Sequence, residues 1–190
     1  MMNKNFFLTF FFIFIGFGLN AQNDFRKMNW YDSPETLMEK YSGVDFLRET
    51  EMGMTAYSHF DYVGGIETRI AFCFINDEFV AGVYQFTPER SSYNAKDFVK
   101  DFDNISARLQ SKYEIERKDV WYKDNNINVD LMGIDFYLKN GDVDLEEVGF
   151  DEMKLIVHSL KNSEGSITHM LMYATGELIE KLENSLENEF

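Results

Sequence analysis

The chain predicts an α+β fold: an antiparallel meander of about eight strands, in one or more sheets, packed by a long helix over 95–112 and flanked by short N- and C-terminal helices. Three observations predict it. Alternating apolar and polar residues recur between turn signals such as Gly64-Gly65 and Asn140-Gly141, the period of strands packed on one side. One segment, Ala95 to Lys112, carries the 4-3-4 spacing of a helix face instead. No long Pro-, Ser- or Gly-rich linker interrupts residues 22–175, so 22–190 is expected to form one domain.

The composition supports a packed core. Of 190 residues, 45% are hydrophobic and 16% aromatic, enough apolar surface to offset the entropy of chain ordering. The 33 acids against 18 Lys and Arg leave a net charge of −15, which argues against nucleic acid and favours a basic partner. The single Cys excludes an internal disulfide framework and a Cys-based structural zinc site.

Residues 1–21 read as a secretory signal peptide. Lys4 precedes a fourteen-residue apolar run from Phe6 to Leu19, and the small residue Ala21 follows. A helix of that length spans about 21 Å, short of the roughly 30 Å hydrocarbon core of a bilayer. The expectation is cleavage near Ala21 and an exported chain, periplasmic or secreted, with no transmembrane anchor. No Cys lies near the cut to carry a lipid.

The first element of the remaining chain is a short helix. Ser33 caps it, Pro34 opens it, Leu37, Met38 and Tyr41 make its apolar stripe, and Gly43 ends it. Residues 44–53 read as a loop. Strands are expected at 55–63, 66–75 and 79–87, the middle one with Ile66, Thr68, Ile70, Phe72 and Phe74 on one face. In the long helix Asn94 is the cap, and Phe98, Phe102, Ile105 and Leu109 form the buried stripe. Further strands are expected at 119–123, 127–139, 142–150, 152–160 and 166–174, with Asn140-Gly141 as a hairpin turn. Thr175 caps a last helix with Leu178, Ile179, Leu182 and Leu186 as its stripe.

The run Trp30-Tyr31-Asp32-Ser33-Pro34-Glu35-Thr36-Leu37, with Gly43 after it, resembles the opening of small exported α+β domains. These have an aromatic residue or Gly, a Ser or Thr cap, a Glu, and a short helix ending near Gly. The outer-membrane assembly lipoprotein and β-lactamase inhibitor protein families are similar in this respect, as are uncharacterised exported families with a helix on a meander. The resemblance implies binding rather than catalysis. The chain departs from the lipoproteins in lacking a lipidated Cys, and from the inhibitors in lacking disulfide pairs. A lipocalin-like barrel is the competing architecture. Against it, the helix at 95–112 interrupts the meander, and Met28 stands two residues before Trp30, where that family has Gly.

Few residues suggest chemistry. His158 and His169 lie on strands joined by one hairpin. A four-residue loop, Asn162 to Gly165, would set them face to face as two candidate metal ligands, one short of the usual minimum. His59 lies on an earlier strand and is expected to bond a neighbour. Asp124, Asn126, Asn128 and Asp130 share the odd spacing of a calcium loop, but Val129 stands where Gly is needed, so a polar-alternating strand is the better reading. Glu146-Glu147 and Asp151-Glu152 are acid pairs expected in solvent. Cys73 is expected to be a buried small hydrophobe. No Gly-x-Ser-x-Gly, phosphate loop, His-Glu-x-x-His or Cys-x-x-Cys occurs. No residue is therefore assigned a catalytic or cofactor-binding role.

The aromatic pairs Trp30-Tyr31 and Trp121-Tyr122 are the candidate interaction residues, with one ring of each pair pointing away from the other. The leading expectation is a non-catalytic exported module that binds a protein, peptide or envelope component through a sheet face or edge. The alternatives are a carrier with an apolar cavity between helix 95–112 and the sheet, and a hydrolase assembled from distant residues. A pocket above roughly 300 Å³ with apolar walls separates the carrier from the others.

Overall fold

The computed structural model describes residues 24–51, 53–87, 93–122, 129–151, 154–163, 165–176 and 178. Residues 1–21, expected to be a signal peptide, lie outside these residues, as does most of the last helix expected after Thr175. In chain order the elements are α1 (Pro34–Lys40), β1 (Leu47–Glu51), β2 (Met54–Val63), β3 (Ile66–Ile75), β4 (Glu78–Phe86) and α2 (Ala95–Gln110). There follow β5 (Ile115–Arg117), β6 (Val120–Trp121), α3 (Val129–Met132), α4 (Ile134–Lys139), β7 (Val143–Asp151), β8 (Lys154–Ser163) and β9 (Ser166–Thr175). The expected α+β class holds. No helix among the described residues is long and apolar enough to cross a membrane.

All nine strands join one antiparallel sheet, in the order β1-β2-β3-β4-β9-β8-β7-β5, with β6 also pairing β7. Two meanders, β1–β4 and β7–β9, therefore meet at the β4–β9 seam, where Ala81 faces Ala174 and Phe86 faces His169. On β3, Thr68, Ile70, Phe72 and Phe74 are all buried on the expected face. The segment around α1 covers this half: Phe25, Met28, Leu37 and Tyr41 pack with Ile70, Phe72, Phe74 and Phe79. Helix α2 opens at Asn94 with a reciprocal capping box to Asp97. Its Phe102 clusters with Leu145 and Leu160, and its Leu109 with Phe86, Ile156 and Leu171.

Four expectations are corrected. Residues 44–53 are not all loop, because Leu47–Glu51 form β1. All five of its residues are exposed, so no buried stripe marks it, and its charges suit a sheet edge. Residues 127–139 do not form a strand. Those described fold as α3 and α4, where Ile134, Tyr137 and Leu138 share one helical stripe against α2 and β7. Residues 123–128, which hold most of the calcium-like spacing, lie outside the described residues.

Asn140-Gly141 is a helix stop rather than a hairpin turn. Gly141 (φ +67°) donates to the Leu138 carbonyl and Asp142 to that of Tyr137, the paired bonds of a Schellman cap. Finally, β8 and β9 extend until Ser163 faces Ser166. The turn holds two residues, not four.

Candidate functional site

The two-residue turn sets the positions of the histidines. His158 faces Leu171, and Leu160 faces His169, so the two histidines are diagonal neighbours on one sheet face. Their Nε2 atoms lie 2.9 Å apart, a hydrogen-bond distance. On the next strand Glu147 faces His158 directly, and its Oε2 lies 3.0 Å from His158 Nδ1. From α2 above, the Ser106 hydroxyl donates to Glu147 Oε1 at 2.5 Å, and Gln110 Nε2 donates to Ser106 Oγ at 3.1 Å. The result is a continuous chain, Gln110–Ser106–Glu147–His158–His169, crossing from helix to sheet.

None of this chain's titratable members reaches water: Glu147 and His158 are 0% exposed and His169 is 1% exposed. Phe102 stacks on His158 with centroids 4.0 Å apart, and Phe86 packs on His169 at 4.6 Å. Burial alone would raise the Glu147 carboxyl. The hydrogen bonds from His158 and Ser106, with the charge of Arg117, more than reverse this and keep it ionised. Burial lowers both imidazoles: His158 against the upward pull of Glu147, and His169 to about 3, helped by His158 beside it. Both rings are neutral at pH 7. His158 Nδ1–H then donates to Glu147, which leaves His158 Nε2 to accept from His169 Nε2–H.

This arrangement orders protons but has no access to a substrate. It does not resemble a metal site either. Zinc needs about 2.0–2.1 Å to each nitrogen, whereas the two Nε2 atoms share a hydrogen bond, and Glu147 binds the far side of His158. Among the described residues no group of three His, Cys, Asp or Glu could hold a metal ion. Glu147 is a correction to the sequence reading, which put the Glu146-Glu147 pair in solvent. Only Glu146 faces outward, where it pairs with Lys161. Val143, Leu145, Glu147 and Gly149 share the inward phase of β7, so an acid at a core-facing position was the available signal.

A cleft adjoins the buried chain. Its volume is about 530 Å³, and its walls include Tyr84, Phe86, Ile105, Leu109, Leu171 and Tyr173, from α2, β4 and β9. Phe86 and Leu171, the cross-strand partners of His169 and His158, form part of its floor. Tyr173 packs edge-on against both Tyr84 and Tyr113. Burial raises the phenols of Tyr113 and Tyr173, so both stay protonated hydrogen-bond donors. Two other hollows, one beside β5 and one lined by Arg26, Tyr41 and His59, are more open to solvent.

The remaining candidates lie apart from the cleft. Trp30 stacks on Phe79 at 5.1 Å, and its neighbour Tyr31 is exposed. Trp121 packs edge-on against Tyr137, while the exposed Tyr122 donates its hydroxyl to Asp144 at 2.8 Å. The two Trp-Tyr pairs sit on separate core clusters. The His59 ring has Nδ1 3.3 Å from the Phe60 carbonyl. Cys73 is buried, which raises its thiol to about 11. The sequence reading named the helix-to-sheet gap but not its residues, because Tyr84, Tyr113 and Tyr173 come from distant segments. Comparison of the chain with protein families, curated proteins and solved structures finds no match to any of them.

Proposed function

We propose that the chain is a non-catalytic, exported binding protein that holds a small apolar molecule in the cleft between α2 and the sheet. The observation carrying this reading is the cleft itself. Its volume, about 530 Å³, falls within the roughly 300–1,000 Å³ of small-molecule sites, and aromatic and aliphatic residues make up most of its lining, with Asp101, Asn104, Arg108 and Lys112 as the polar part. The apolar run at residues 6–19 supports export. The Trp30–Leu37 resemblance to small exported domains supports binding over catalysis. The Glu147–His158–His169 cluster is sealed beneath Phe86 and Phe102, which gives the hydrolase reading no support there.

Titration with a neutral environment-sensitive dye such as N-phenyl-1-naphthylamine tests the reading. The expected result is a saturable fluorescence rise that Ile105→Trp, which fills the cleft, abolishes. No saturable rise with the folded protein, or a rise that Ile105→Trp leaves intact, would sink it.

A further inference from the structure

We infer that the molecule held in this cleft is a carboxylate amphiphile of the fatty-acid kind, its anionic head lying between Arg108 and Lys112 at the mouth. The inference rests on the cleft being a ligand site and adds the chemistry of the ligand. The walls supply the apolar half of the match, with Ile66, Ile105 and Leu109 beside the tyrosines.

The mouth supplies the other half. Arg108 and Lys112 both line the cleft and are exposed. Arg108 lies in the last turn of α2 and Lys112 just beyond its cap, and the two meet at the same cleft. Among the described residues neither side chain has an ion pair or hydrogen bond. In a chain of net charge −15 a pair of uncommitted cations creates a local positive field on a repelling surface.

Among the described residues Asp101 is the one carboxylate in the lining. It stands seven residues before Arg108, about 10 Å along the helix axis. Tyr113 and Tyr173 also line the cleft, and their phenols can donate hydrogen bonds.

Three ten-carbon probes separate the terms: decanoate, decanol and decylamine, each displacing the neutral dye at pH 8. Decanoate should bind about tenfold tighter than decanol, the combined effect of two exposed charge pairs, and decylamine weakest. The advantage of decanoate should shrink in 0.5 M salt, roughly as exposed charges are screened. The double variant Arg108→Gln, Lys112→Gln should lose that advantage while keeping its affinity for decanol, which also reports an intact cleft. Equal binding of decanoate and decanol, or an advantage that survives the double variant, overturns the anionic head and leaves the apolar cleft standing. No binding of any of the three overturns the cleft reading itself.

Discussion

His158 and His169 share a hydrogen bond through Nε2 atoms 2.9 Å apart, and neither ring meets water. Both are held neutral in the folded state, His169 down to about 3. In the unfolded chain each would take a proton near pH 6.5. The unfolded state therefore binds more protons as pH falls below 6.5, and stability declines by up to about 1.4 kcal/mol per pH unit from each histidine, for His169 until about pH 3. Urea melts from pH 7.5 to pH 5 should show this decline. His169→Phe should flatten it, because that variant has one fewer imidazole to protonate on unfolding. An identical slope in the two proteins would contradict the assignment.

Glu147 is the charged centre of the buried chain and accepts from both Ser106 and His158. Glu147→Ala removes the acceptor and leaves those donors stranded in the core. A loss of about 3–5 kcal/mol is expected by chemical denaturation, against about 1–3 for Ser106→Ala. A Glu147→Ala loss no larger than that of Ser106→Ala would show that the carboxylate is not the hub.

Gly82 sits beneath the ring of Phe25. A Cβ built on it would lie 2.3 Å from the ring carbons, and the ring itself packs against Phe72, Tyr84 and Tyr173. Gly82→Ala must displace this ring, at a cost of about 1–3 kcal/mol. Thermal melts should show a clear drop in Tm, and an unchanged Tm would mean that the segment before α1 docks elsewhere.

Gly141 closes α4 with φ +67°. Space is not limiting there, since the nearest atom to an added Cβ is 3.8 Å away. Gly141→Ala should thus cost about 1–2 kcal/mol through backbone conformation alone, and Gly141→Asn less. Equal losses for Ala and Asn would argue against the helix-stop geometry.

The clearest parts of the fold to read were a strand with a marked inward face and a helix with a marked cap. Strand β3 shows its inward phase from Thr68 to Phe74, and Asn94 marks the start of α2. Pattern reading failed at β1, which is wet throughout, and at 127–139, where Ile134, Tyr137 and Leu138 form a helical stripe rather than a strand face. The histidines were noticed, but their partnership with Glu147 depends on the β7–β8 register and on Ser106 arriving from above. No local pattern encodes that meeting. The cleft likewise needs β4, α2 and β9 together.

The seam between β4 and β9 has a consequence for how the molecule is made. Among the described strands β9 comes last in the sequence, so the sheet's central pair is also the last to be completed during synthesis. Until then β4 carries a bare row of amides and carbonyls at the heart of the future sheet, a surface inviting intermolecular pairing. A chain cut short before Ser166 would keep β1–β4 and the β7–β8 pair but have nothing to join them, and an interval with open edges is a hazard that folding helpers would have to cover.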